Sequence, residues 1–178
     1  MRVQLLVFDV NETLSDMTPI ASTFRQIGLS EHDAATWFAG VLRDGFAATA
    51  AGAPVAFGDC AVGTLTSLLD AAGRPDDTRS DDVATVLAAL RDLDAHPDVA
   101  PGLAALADLG LRLVTLTNGA VAMTEAMFGR AGVLDLFEHR LSVDAVGPWK
   151  PAPAPYAYAL EVCDVGPGEA ALVAVHPW

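Results

Sequence analysis

Basic residues are scarce in this 178-residue chain, which has 10 Lys and Arg against 23 Asp and Glu and a formal net charge of −13 at pH 7. Binding to a nucleic-acid backbone needs clustered Lys and Arg, so the composition argues against a nucleic-acid partner. Lys150 is the only lysine in a chain that otherwise uses arginine. Because lysine supplies a compact ammonium group that arginine does not, Lys150 is a candidate functional residue, with chance as the alternative.

Cysteines are few, and long apolar runs are absent from the sequence. Cys60 and Cys163 lie far apart with no C-x-x-C spacing, which gives no support to a disulfide or a zinc site. No apolar run approaches the roughly 20 residues that span a bilayer. The N-terminal apolar stretch ends at Asp9, which is too soon for a signal peptide. We therefore expect a cytoplasmic protein without a membrane partner.

Apolar residues nevertheless make up 52% of the chain, enough for a well-buried core. Residues 3–8 are a mainly apolar stretch, typical of a strand buried on both faces of a parallel sheet. Residues 17–96 are predicted to be all helical. Three helices are delimited there: one opened by a capping box of Ser30 and Asp33 and ending near Ala51, one from about Gly58 to Ala72, and one capped by Ser80.

The pattern changes after the proline-rich stretch of residues 95–102 and alternates between helices and strands. Alternation of this kind predicts parallel βαβ units. The predicted fold is therefore α/β, a Rossmann-like parallel-sheet core of residues 1–14 and 99–178 with an inserted all-helical cap of residues 15–98. The elements predicted after the boundary are helix 103–109, strand 111–117, helix 121–131, strand 140–145, helix 154–163 and strand 170–176.

Polar side chains follow the predicted strands where each strand ends. Asp9 ends the first strand, Thr117 and Asn118 end the second, Lys150 follows the third, and His176 ends the last. Ligands bind at the carboxyl ends of parallel strands. A desolvated carboxylate there acts as a nucleophile, so we expect Asp9 to be one. Two alternatives remain: an aspartate at a strand end is also a common helix cap, and the sequence "TNG" at residues 117–119 is also typical of a turn.

In this arrangement the sequence resembles the haloacid dehalogenase superfamily over essentially its whole length. "FDVNETL" resembles the first motif, "LVTLTNG" the second, "WKPAPAPY" the third and "LVAVHPW" the approach to the fourth. The resemblance implies that Asp9 is the nucleophile. It also implies two sets of site residues: catalytic residues Asp9, Thr13, Thr117, Asn118 and Lys150, and substrate-binding residues Asn11, Arg43, Tyr156, His176 and Trp178.

The residue two positions after the nucleophile indicates the branch of the superfamily. Magnesium-dependent phosphatases of the superfamily carry a second Asp there, whereas this chain has Asn11. The resemblance is therefore to the (S)-2-haloacid dehalogenases, and implies that Asp9 displaces halide from a short 2-haloalkanoic acid, that water hydrolyses the ester, and that no metal or cofactor is required. The alternatives are a magnesium-dependent phosphatase and a non-catalytic binding protein of the same fold. Analogy also suggests a homodimer.

Three positions depart from the family pattern. Ala39 stands where the family has a halide-binding arginine, and Arg43 lies one helical turn further on. Ala174 and His176 replace a Ser and an Asn of the fourth motif. The family's fourth-motif aspartate would follow Trp178, so the C-terminus resembles a truncated one. If the 178 residues are the whole protein, we expect slow or absent ester hydrolysis, with Asp9 trapped as its alkyl ester.

Overall fold

A computed structural model describes residues 3–178. The chain divides into two compact units: the sheet unit, which comprises the residues up to Asp16 together with Asp94–Trp178, and the helical unit, Met17–Leu93. The elements in chain order are β1 (Leu5–Phe8), α1 (Thr18–Gln26), α2 (Glu31–Ala50), α3 (Phe57–Ala71), α4 (Asp76–Arg91), α5 (Val99–Asp108), β2 (Arg112–Thr117), α6 (Val121–Ala131), β3 (His139–Ser142), α7 (Pro153–Val162) and β4 (Ala170–Val173).

The four strands form one parallel sheet in the order β3-β2-β1-β4, which confirms the predicted α/β class. Leu5 pairs with Arg112 on one side and with Ala170 on the other, so β1 lies inside the sheet. The chain leaves β1 first toward β2 and later returns on the opposite side at β4. Such a reversal of strand order leaves a crevice at the carboxyl ends of the strands, which is where β1 delivers Asp9.

Apolar side chains cover both faces of this sheet, as the apolar run of β1 predicts. One face carries a cluster with Phe8, Leu113 and the α6 residue Phe128, all buried. The other carries a cluster with Val7, Leu116 and the α7 residue Ala159. Successive residues of a strand point to opposite faces, so β1 contributes to both clusters and is held firmly between them.

The helical unit packs four helices around an aromatic and aliphatic core that includes Phe24, Trp37 and Leu65. The indole Nε1 of Trp37 donates a hydrogen bond of 3.0 Å to the carbonyl of Ala61, which satisfies the one polar group of this buried ring. The capping box of Ser30 and Asp33 is confirmed at the start of α2. No helix in residues 3–178 combines the length and the apolar character needed to cross a bilayer.

Several predicted boundaries are wrong. Ser80 lies inside α4, which begins at Asp76 directly after Pro75, because proline ends the preceding extended segment and acidic residues in the first turn complement the helix dipole. Helix α5 begins at Val99, since Pro101 falls in its first turn, where no backbone donor is needed. Strand β4 ends at Val173, and the Val175 N–H donates to the Thr13 hydroxyl.

Candidate active site

The carboxylate of Asp9 is held by two side chains, one on each oxygen. Strand β1 ends one residue earlier, and the Asp9 N–H continues its pairing by donating to the Val173 carbonyl at 2.9 Å. Lys150 Nζ donates to Oδ1 at 2.7 Å, and Thr13 Oγ1 donates to Oδ2 at 2.8 Å. The residue is only 6% exposed. Asp9 is therefore a largely desolvated carboxylate in a fixed orientation, which is the form in which a carboxylate attacks carbon.

Lys150 is buried and is positioned through its own backbone. Its N–H donates to Asn118 Oδ1 at 2.9 Å, and Asn118 Nδ2 donates to its carbonyl at 3.3 Å. Its ammonium group also donates to the carbonyl of Leu116. Burial lowers the pKa of Lys150, and the charge of Asp9 opposes this lowering. The oxygen and the nitrogen of the Asn118 amide thus both bond to the backbone of Lys150, so Asn118 orients the lysine that faces Asp9.

The loop after β2 is braced by hydrogen bonds to its own backbone. The Gly119 N–H donates to Thr117 Oγ1 at 2.9 Å, and the Gly119 carbonyl accepts from Ser142 Oγ at 2.8 Å. A Cβ added to Gly119 would lie 3.7 Å from Asn11 Nδ2, so the Asn11 side chain comes close to this loop. The motif residues after β1 and β2 are therefore brought together at one edge of the sheet.

A small pocket opens beside Asp9 and Lys150. Burial and the nearby charge of Asp9 raise the pKa of Tyr156. The ring of His176 stacks on that of Trp178 with centroids 4.8 Å apart and an interplanar angle of 14°. His176 Nε2 lies 3.8 Å from Asp9 Oδ2. The pocket is lined by Asp9, Lys150, Tyr156, Leu172, Ala174, His176 and Trp178, and so contains three of the five predicted substrate-binding residues.

Arg43 is the one predicted site residue that belongs to the helical unit. It lies on α2, and its Nε donates to Asp44 Oδ1 at 2.7 Å. Its side chain is 73% exposed. A halide-binding role for Arg43 stays a prediction, because an exposed guanidinium with a neighbouring carboxylate is equally typical of a solvated helix residue.

Glu12 is the residue that sequence reasoning missed. Adjacent residues on an extended loop face opposite ways, and such a loop would turn Glu12 away from Asn11. The segment is instead a tight turn, in which the Leu14 N–H donates to the Val10 carbonyl at 2.9 Å and Glu12 has a φ of 63°. This conformation brings Glu12 Oε2 to 3.5 Å from His176 Nε2. The only signal in the sequence is that Glu12 is a carboxylate within the first motif, FDVNETL.

Within residues 3–178, no group of three or more His, Cys, Asp or Glu side chains is arranged to hold a metal ion. Asn11, a neutral amide, stands where a magnesium-dependent phosphatase of this fold would need a second carboxylate.

Comparison with known proteins agrees with the motifs. Residues 3–173 match the haloacid dehalogenase-like hydrolase family. The chain is 32% identical to an (S)-2-haloacid dehalogenase of Xanthobacter autotrophicus over 96% of its own length and 67% of that protein's. It is also similar to the crystal structure of an L-2-haloacid dehalogenase from X. autotrophicus that carries covalently bound chloropropionic acid. The TM-score is 0.81 and the identity is 29%, over 96% of this chain and 69% of that one. A phosphoglycolate phosphatase of Nitrosospira multiformis is 38% identical, over only 46% of this chain and 36% of that protein.

Proposed function

This chain belongs to the haloacid dehalogenase-like hydrolases, and from that premise we propose that it removes halide from a short 2-haloalkanoic acid through an ester on Asp9. It is a hydrolase of carbon–halide bonds. The observation that carries the proposal is the carboxylate of Asp9, buried at the end of β1 and held through Oδ1 by Lys150 and through Oδ2 by Thr13. This arrangement serves a nucleophile, because both oxygens keep their orientation while one of them attacks.

In the first step, an oxygen of Asp9 attacks the carbon that bears the halogen, and halide leaves with the bonding electrons. Asp9 loses its negative charge as the ester forms, and Lys150 and Thr13 align the attacking carboxylate. Asn118 contributes by holding the backbone of Lys150 on both sides. Thr117 contributes by bracing the loop that carries Asn118.

In the second step, water attacks the carboxyl carbon of Asp9 and releases the 2-hydroxy acid. The oxygen of the attacking water stays on Asp9, and the substrate keeps the oxygen that it received from the nucleophile. Neither step as proposed uses a metal or a cofactor, because Asp9 is the nucleophile of the first step and water that of the second.

The remaining predicted residues are proposed to bind the substrate. Tyr156, His176 and Trp178 line the pocket beside Asp9, which suits the short carbon chain and the carboxylate of a small 2-haloacid. Asn11 lies close to the loop after β2. Arg43 is proposed to receive the departing halide, a role that rests on its position one helical turn after Ala39.

Neither alternative function is favoured by the site. A magnesium-dependent phosphatase needs an acid to protonate the leaving group and oxygen ligands for the ion. Asn11 has no acidic proton to give to a leaving group, and its neutral amide is a weaker ligand for the ion than a carboxylate. A non-catalytic binding protein would not require a buried carboxylate fixed on both oxygens, because burying this charge costs free energy without a gain in turnover.

The first experiment is chloride release from (S)-2-chloropropionate in EDTA, with this chain and its Asp9→Asn variant. We expect release by the parent and none by the variant. A single turnover in oxygen-18 water then locates the hydrolysis: label in the peptide that contains Asp9 supports attack on the ester carbonyl, and label only in the product contradicts it. If the folded parent releases no halide and forms no adduct, the proposed function is wrong. Phosphate release that depends on magnesium would support the phosphatase alternative.

We also propose a cytoplasmic location and a homodimer. Cys60 and Cys163 are both free and buried, which is compatible with a reducing compartment. Light scattering of the purified chain measures the mass directly, and a monomer would contradict the dimer.

A further inference from the structure

The hydroxyl of Ser142 joins the two chain segments that meet at Lys150. Ser142 is the last residue of β3 and is only 6% exposed. Its Oγ donates to the Gly119 carbonyl at 2.8 Å, in the loop after β2. The same oxygen accepts from the Asp144 N–H at 3.1 Å and so caps the short 3-10 helix Val143–Ala145, on the way to Lys150. This hydroxyl therefore acts both as a donor and as an acceptor, and its orientation is fixed.

Asn118 makes a second link between the same two segments. Its amide oxygen accepts from the Lys150 N–H at 2.9 Å, and its amide nitrogen donates to the Lys150 carbonyl at 3.3 Å. Asn118 directly precedes Gly119, whose carbonyl Ser142 holds. These residues form what we call the lysine frame: Ser142, Gly119, Asn118 and the backbone of Lys150. The frame ties the loop after β2 to the segment after β3 at both of its ends.

The lysine frame sets how Lys150 faces the nucleophile. Lys150 Nζ donates to Asp9 Oδ1 at 2.7 Å and also to the Leu116 carbonyl. Its side chain is 2% exposed. A lysine side chain is a flexible four-carbon stem, so its ammonium keeps one place only when its backbone is held as well. A shift of the loop that carries Asn118 would therefore move Lys150 and weaken the contact of its ammonium with Asp9.

The bond from Ser142 is what keeps that loop from shifting. It is buried, so solvent does not replace it when the hydroxyl is removed. An unsatisfied buried carbonyl costs free energy, and the loop relieves this cost by moving. A Cβ added to Gly119 would lie 3.4 Å from Thr117 Oγ1 and 3.7 Å from Asn11 Nδ2. The backbone at Gly119 thus lies directly against side chains of the site, and any movement there is felt by them.

We propose that Ser142 is a positioning residue for Lys150, acting through the Gly119 carbonyl and the Asn118 amide; its effect on the reaction rests on the proposed function. The pocket beside Asp9 is lined by other residues. Loss of the Ser142 hydroxyl should therefore slow the attack by Asp9 and leave the binding of substrate nearly unchanged, because alignment of the reacting groups is what the frame supplies.

Lys150 is the only lysine of the chain, so its ammonium can be followed without an activity assay. Carbon-13 labelling of lysine Cε gives one NMR signal, whose titration reports the pKa of Lys150 in the folded protein. Burial lowers this pKa, and the charge of Asp9 opposes the lowering. In Ser142→Ala the contact with Asp9 weakens, so we expect the pKa of Lys150 to lie below that of the parent. Ser142→Thr keeps the hydroxyl and should restore the parent's titration.

Two further variants make the titration specific. Tyr156 and His176 are the other titratable side chains of the pocket beside Asp9 and Lys150. The comparison is therefore repeated in the Tyr156→Phe background, where no phenol titrates in the same alkaline range, and the difference caused by Ser142→Ala should persist there. Thr64→Val is the matched control in the helical unit, because it removes a buried hydroxyl that donates to a backbone carbonyl at 2.7 Å. It should leave the titration of Lys150 unchanged.

Rapid-quench measurement of chloride release from (S)-2-chloropropionate tests the consequence for the reaction. In Ser142→Ala we expect the maximal first-turnover rate to fall roughly 10-fold, since a misplacement of about 1 Å costs roughly 100-fold. The substrate concentration that gives half of this rate should change little, and the fall of the rate at alkaline pH should begin at lower pH. Ser142→Thr should retain most of the rate, and Thr64→Val should resemble the parent. Urea unfolding of each variant allows the rates to be compared per folded molecule.

The outcomes separate this inference from the proposed function. An unchanged or higher pKa of Lys150 in folded Ser142→Ala would overturn the assignment of Ser142, whether or not the chain releases halide. An equal loss of rate in Thr64→Val, or no recovery in Ser142→Thr, would overturn it as well. Absence of chloride release by the parent would instead contradict the proposed function, and the titration would still decide whether Ser142 positions Lys150.

Discussion

The buried ion pair of Lys150 and Asp9 can be tested by folding measurements that do not depend on activity. Its nitrogen and oxygen are 2.7 Å apart, and the two side chains are 2% and 8% exposed. With an effective dielectric constant of about 20, Coulomb's law gives an attraction of about 6 kcal/mol at this separation. The cost of removing both charges from water offsets most of that attraction, so the pair adds little to the net stability.

The perturbation is a double-mutant cycle with Lys150→Met and Asp9→Asn. Each single variant leaves a buried group without its partner, and we expect each to lose about 3–5 kcal/mol in the free energy of unfolding. The double variant should lose clearly less than the sum of the two. Urea denaturation followed by circular dichroism measures all four free energies under identical conditions.

The chain offers an exposed pair at the same separation as a control. Arg25 and Glu31 are also 2.7 Å apart, but their side chains are 63% and 52% exposed. The same cycle on this pair should give a coupling of about 0.2–1 kcal/mol, because solvent screens it. If the losses at Lys150 and Asp9 simply add, or if their coupling is no larger than that of the exposed pair, then burial does not strengthen the interaction as argued.

Two further predictions concern the reaction. Replacing Thr13 with Val should lower the rate of halide release roughly 10- to 100-fold. The reason is the loss of one charge-assisted hydrogen bond to Asp9, which contributes about 1.5–3 kcal/mol. The control Thr13→Ser keeps the hydroxyl and should retain most of the rate. Halide release should also fall as pH rises through the pKa of Lys150, since the ammonium must be charged, and burial lowers that pKa from its usual 10.5. The pH–rate profile of Tyr156→Phe should show the same alkaline fall, and its disappearance in that variant would assign the fall to Tyr156.

Local signals in the sequence were sufficient for much of the fold. The apolar stretch at the N-terminus predicted a strand buried on both faces, and the capping box of Ser30 and Asp33 predicted the start of α2. Both depend on neighbouring residues alone. The prediction that Ser80 caps a helix was wrong. A serine is also tolerated inside a helix, and Pro75 followed by Asp76 is a stronger signal for the start of α4.

The sequence by itself determined which side chains stand at the ends of the strands: a carboxylate at Asp9, an amide at Asn118, an ammonium at Lys150 and an imidazole at His176. Only the tertiary structure decided which of their atoms meet. Lys150 reaches Asp9 across 141 positions, and Val175 reaches Thr13 across 162. Contacts of this kind depend on strand order and register, and β4 lies beside β1 in the sheet although the two strands are far apart in the sequence. Local patterns therefore supplied the chemical groups, and long-range packing selected their partners.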